Sequence, residues 1–192
     1  MILLFLNVVF AAEPEDGKAE SEITQTGTPT LKNFYVAPTL GFSIGLFGLS
    51  SEVNINADFL VKNTNIYLGF DTGFSYLVTT YDGFHDSGII MSVPFRANIV
   101  FGFPSENHPN VKFTALRLSA GINFIFDKGE YFEGLYLMAF YAKPLDNYIF
   151  YINPDIKLAV DFVFKYDLLL EIGVEYFAPY VSDFAIAVGY RF

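Results

Sequence analysis

Phe184-Ala-Ile-Ala-Val-Gly-Tyr-Arg-Phe192 decides how the chain is read. Phe184, Ile186, Val188, Tyr190 and Phe192 take every second place, and Ala185, Ala187, Gly189 and Arg191 fill the gaps. A period of two is the signature of a strand, because successive side chains point to opposite faces of the pleat. One face here is wholly apolar and aromatic; the other is small or charged. A soluble strand seldom shows such a stripe unless something covers it.

The pattern recurs upstream as far as Phe34. Phe34, Val36, Leu40, Phe42, Ile44 and Leu46 oppose Tyr35, Ala37, Thr39, Gly41, Ser43 and Gly45. Val53, Ile55, Ala57, Phe59 and Val61 oppose Asn54, Asn56 and Asp58. The same alternation marks residues 65–78, 89–103, 116–126, 156–164 and 168–176. Residues 131–142 are apolar on both faces and take no orientation. Residues 145–152 read either as a further short strand ended by Asn153-Pro154 or as the start of the next one. The expected fold is all-β, a closed antiparallel up-and-down transmembrane β-barrel. Ten strands are favoured; eight follow if two segments fuse or one lies outside the barrel. Bacterial single-chain barrels have even strand numbers.

Composition agrees. Of 192 residues, 53% are apolar and 19% aromatic, but only 17% are charged, against about 25% in an average soluble domain. Yet no run reaches the roughly 18–20 apolar residues of a membrane-spanning helix. The apolar content is therefore spread along alternating segments. A net charge of −10 argues against nucleic acid, whose phosphates need a basic surface. With no cysteine there is no disulfide, thiolate metal site, cysteine nucleophile or lipoprotein anchor.

The direction of the alternation separates a membrane barrel from a soluble sandwich or a periplasmic lipocalin-like binding barrel. In the soluble folds the apolar faces meet inside and the second face carries many charges. Here the second face is glycine, alanine, serine and asparagine with few charges, which suits a cramped lumen. Phenylalanine and tyrosine gather at strand ends, as in interfacial aromatic girdles.

Outside the barrel, residues 1–12 resemble the apolar core and small-residue cleavage site of a secretory signal, although a basic leader is missing. Residues 13–32 carry Glu, Thr, Gly, Ser and Pro without periodicity and are expected to be a disordered arm. The barrel occupies residues 33–192.

On this pattern the chain resembles small bacterial outer-membrane β-barrel proteins, the OmpX- and OmpW-like class. The terminal Phe192, preceded at alternate places by Tyr190, Val188, Ile186 and Phe184, is similar to the assembly signal of that class. The resemblance implies export across the inner membrane, insertion by the barrel-assembly machinery and an outer-membrane lipid environment. It carries no motif for an activity.

Candidate chemistry lies on the inward face: Asp71, Arg96, Arg117, Lys157, Asp161, Glu171, Glu175 and Arg191, with Asp58 beside them. Folding the strands about their turns, with stagger ignored, sets Asp71 by Arg96, Arg96 by Arg117, Lys157 by Glu175, and Glu171 by Arg191. Buried charges need partners, so the first reading is a satisfied network that plugs the lumen. The sharper one has Arg96 and Arg117 select a small anionic or polar solute. His85-Asp86-Ser87 reads as a solvated turn rather than a catalytic triad, which needs convergent geometry. His85 and His108 stand apart and make no metal site. The chain is thus expected to be neither an enzyme nor a cofactor carrier. It is expected to be a narrow channel or a lateral route for small or apolar solutes, a structural envelope barrel, or a surface-interaction barrel acting through loops such as residues 79–88.

Overall fold

The computed structural model describes residues 32–45, 48–79, 89–105, 110–128, 139–145, 148–177 and 181–192. The signal-like segment, the arm up to residue 31, His85, Asp86, Ser87, His108 and most of the 131–142 segment lie outside the described residues.

The alternating segments form the strands β1 (Phe34–Gly45), β2 (Gly48–Leu60), β3 (Ile66–Thr79), β4 (Ile89–Pro104), β5 (Val111–Lys128), β6 (Tyr141–Leu145), β7 (Tyr148–Phe164), β8 (Leu168–Phe177) and β9 (Val181–Tyr190). Every pairing is antiparallel. Each barrel strand pairs with the next in sequence, β5 pairs with β7, and β9 returns to β1 through Thr39↔Gly189 to Ile44↔Phe184. The barrel is closed by eight strands: β1–β5 and β7–β9. Strand β6 lies outside that count.

The described strands close the barrel at eight rather than ten because two segments of the sequence fuse into one strand. Asn153-Pro154 does not end a strand; β7 runs through it, with Asn153↔Asn123 and Pro154↔Ile122 in the β5 ladder. On its other edge β7 pairs with β6 only as far as Ile152 and with β8 only from Asp155. Pro154 therefore falls in a gap between two ladders, where a missing N–H is tolerated. Pro94 sits likewise in a break of the β3–β4 register between Ser92 and Phe95. Short β6 merely extends the β7 edge beyond the end of β8.

The burial pattern is inside out relative to a soluble protein. Leu40, Phe42, Ile55, Phe70, Phe95, Leu118, Leu158, Val174, Ile186 and Val188 are exposed on the outer wall. Asp58, Arg117, Ser119, Asn153 and Asp155 are fully buried within. Alternation assigns each strand one face to either side. Unpaired backbone edges cannot stand in hydrocarbon, and closure removes them. Such a wall needs lipid around it, which makes the chain a transmembrane barrel.

Aromatic side chains belt both rims. At the end bearing the termini, the Phe34 and Phe59 rings lie 4.6 Å apart and those of Tyr190 and Phe192 4.8 Å apart. At the other end Phe126 packs on Phe150 at 5.1 Å, with Tyr141 beside it at 6.3 Å. Connections at the termini end are short, such as the 3₁₀ turn Lys165–Asp167. The longest sequence separations between strand ends, Thr79 to Ile89 and Lys128 to Tyr141, join strands whose described ends lie at the far end. In bacterial barrels the short turns are periplasmic and the long loops extracellular.

Candidate functional site

The site is the lumen, an interior that eight strands make just wide enough for side chains to fill. It is built in layers, each by residues whose strand parity turns them inward.

At the periplasmic end is an aromatic floor. Tyr35, Tyr67 and Phe113 pack with Val100, Val163 and Leu169. Arg191 reaches in from the end of β9, its Cζ 3.7 Å from the centre of the Tyr35 ring and 4.6 Å from that of Phe113. Its Nη2 donates to the Tyr67 hydroxyl at 3.1 Å. A guanidinium over ring faces is held by their quadrupoles while its edge still finds an acceptor.

Above the floor, the fully buried Arg117 of β5 gathers its neighbours. Nη1 donates to Asp58 Oδ2 on β2 at 3.0 Å, and Nη2 to Asp161 Oδ2 on β7 at 2.8 Å. Nη2 also donates to the Tyr35 hydroxyl on β1 at 3.2 Å, and Glu171 Oε2 on β8 lies 3.6 Å from Nε. One planar fork thus binds five strands. Asn98 donates to the remaining oxygen of Asp58 at 3.2 Å.

The next layer holds two cations. Lys157 Nζ contacts Glu171 Oε1 at 2.6 Å and Glu52 Oε1 at 3.8 Å. Arg96 Nε lies 3.1 Å from Asp71 Oδ1 and 3.4 Å from Asp155 Oδ2, and its Nη2 3.2 Å from Glu175 Oε1. Toward the extracellular end come hydroxyl pairs: Ser43–Ser50 at 2.5 Å and Ser75–Ser92 at 2.7 Å. Ser43 also donates to Asp183 Oδ2 at 3.2 Å. Beside them Leu77, Ile90, Ile125 and Tyr151 form a second apolar cluster.

All eight charged residues expected inward are buried in this lumen. Asp71 meets Arg96, as the turn geometry suggests. The other three expected neighbours differ. Arg96 stands opposite Gly121 and Arg117 opposite Val100, so the two arginines occupy separate layers. Lys157 does stand opposite Glu175 in register, but its ammonium turns to Glu171. Glu171 stands opposite Ala187, and Arg191 belongs to the aromatic floor. The cause is stagger: tilted strands bring together side chains several residues apart in a flat drawing.

Glu52, Asp127, Asp155 and Asp183 are also buried, although the alternation read from the sequence does not place them inward. Glu52 and Asp155 lie one residue beyond segments that read as strands, and Asp183 sits in what looks like a loop. Continuing the alternation by one or two residues finds them. Among the described residues the lumen then holds nine carboxyls: Glu52, Asp58, Asp71, Asp127, Asp155, Asp161, Glu171, Glu175 and Asp183. Against them stand four cations: Arg96, Arg117, Lys157 and Arg191.

A recess of about 10 Å³ lies in the extracellular half, lined among others by Ser43, Ser50, Glu52, Ser92, Glu175 and Asp183. That is room for about one water molecule.

Among solved structures, a major outer membrane protein from Thermus thermophilus is similar over 83% of this chain and 99% of that one, with a TM-score of 0.51 and 13% identity. Neisserial surface protein A matches 83% of this chain and 96% of its own, at a TM-score of 0.49 and 12% identity. The outer membrane enzyme PagL matches 81% and 97%, at 0.49 and 10%. No family model and no curated protein matches the sequence. The fold is that of the small eight-stranded bacterial outer-membrane β-barrels, and its inverted burial belongs in that membrane.

Proposed function

We propose that this protein is a closed-lumen outer-membrane barrel, a structural or surface-interaction element of the envelope rather than a channel. One observation carries the reading: among the described residues the Arg191 floor and the Arg117, Lys157 and Arg96 ion pairs link strands across the lumen. A solute would have to break several buried charge pairs to pass, each costing about 3–5 kcal/mol once one partner is stripped away. Both arginines suggested as an anion filter are already surrounded by carboxylates, which supports the plug. Activity then rests with the outer wall and the extracellular connections.

The alternating aromatic terminus, Phe184 to Phe192, faces outward and is accessible to an assembly machine before lipid covers it. An apolar groove on the wall, lined by Phe70, Phe95, Ala97, Ala120, Ile122 and Phe124, suits hydrocarbon chains.

Purified barrel in planar lipid bilayers tests the proposal. The expected record is flat, and reproducible single-channel steps would overturn it in favour of a narrow channel.

A further inference from the structure

The acids and bases of the lumen do not balance, and the excess is uneven. The Arg117 layer pairs its acids with a bidentate cation. No cation among the described residues lines the recess above it; Arg96 reaches Glu175 there at 3.2 Å and Lys157 reaches Glu52 at 3.8 Å, which leaves Asp183 without one. Among the described residues Asp183 has no ion-pair partner; Ser43 serves its Oδ2, while Oδ1 accepts no hydrogen bond although the residue is only 3% exposed. Glu52 Oε1 likewise accepts no hydrogen bond, its nearest cation being Lys157 at 3.8 Å. Glu175 completes the acidic lining. A buried carboxylate without compensation is costly, and the cost is met either by a proton or by a bound cation.

We propose that this recess is a binding site for one small monovalent cation, Na⁺ or K⁺, held by Asp183 and Glu52 together with the hydroxyls of Ser43 and Ser50. Size and ligand type favour that choice. The recess of about 10 Å³ admits a single water-sized body. Among the described residues no three acids or histidines converge at metal-chelating geometry, so a divalent ion lacks its cage. The two serine hydroxyls, 2.5 Å apart and next to Asp183, supply the neutral oxygen ligands such an ion accepts.

A ligand that binds the folded barrel alone raises its stability in proportion to the logarithm of concentration. The full chain, folded in detergent, is therefore melted in NaCl or KCl, with choline chloride holding ionic strength constant. The midpoint is expected to rise with Na⁺ or K⁺, with a linkage slope approaching one ion per barrel. Asp183→Asn should flatten the dependence, and Asp167→Asn, in the periplasmic turn, should leave it intact. A midpoint indifferent to the replacement of choline, or a dependence that survives Asp183→Asn, overturns the site. A second readout needs no variant. The sodium NMR line of a solution of the wild-type barrel should broaden and sharpen again on adding excess K⁺; a line that never broadens also overturns it. Conductance steps would defeat the closed lumen and leave this site standing, whereas cation-independent melting would do the reverse.

Discussion

At the scale of the residue, Arg117 shows how much can hang on one side chain. Its guanidinium holds Asp58 and Asp161 at 3.0 and 2.8 Å with no exposure to solvent. Arg117→Ala removes the cation and leaves two buried carboxylates facing each other. The expected loss is about 3–5 kcal/mol, read as an earlier unfolding midpoint in urea for the barrel refolded in detergent. Removing the acids as well, in Asp58→Asn/Asp161→Asn/Arg117→Met, should recover part of that loss, because matched apolar or neutral groups replace a broken pair at little cost. A triple variant no more stable than Arg117→Ala would show that the charges are not what holds this layer. Gly121 is constrained differently. A Cβ there would run into the Phe95 carbonyl oxygen, so this inward glycine is required by the close approach of the neighbouring strand β4.

At the scale of the element, β9 is the strand that turns a sheet into a barrel. It pairs with β8 along its length and with β1 over six residue pairs. Phe192 adds a backbone hydrogen bond to Val36 at 2.9 Å and leaves most of its ring to lipid. Deleting Phe192 therefore removes little packing. It should lower the amount of barrel inserted in cells several-fold, measured by quantitative blot of outer membranes, while the melting midpoint of the protein that does insert stays near wild type. Normal insertion would remove the terminus from its proposed role.

Strand faces are legible in the sequence because each inward glycine, serine or asparagine alternates with an outward apolar residue. Two things are not legible. One is the run of β7 through Asn153-Pro154, since a proline reads as punctuation until the gap between β6 and β8 beside it is known. The other is the stagger, which no single strand records and which decides that Arg117 meets Asp58 rather than Arg96.

At the scale of the whole molecule, the distribution of polarity sets the address. Exposed Leu40, Phe95, Leu158 and Val188 around buried Asp58, Arg96 and Arg117 would aggregate in water and are at ease in a bilayer. The native barrel is expected to sediment with outer membranes. On a gel, boiled and unboiled samples should migrate differently, since closed barrels resist detergent until heated. Recovery as a soluble periplasmic protein with a single band would refute a membrane barrel.

The fork of Arg117, which ties together β1, β2, β5, β7 and β8, also limits how such a protein can be rearranged. The wall is modular: each hairpin pairs only with its neighbours and could be lent to another barrel. The interior is not, because every hairpin owes a charge to partners on the far side. A chimaera made by exchanging the β1–β2 hairpin would arrive without the right acid at position 58, and the seam would close around a mismatch. Recombination among such barrels is therefore restricted by what they contain rather than by how they join.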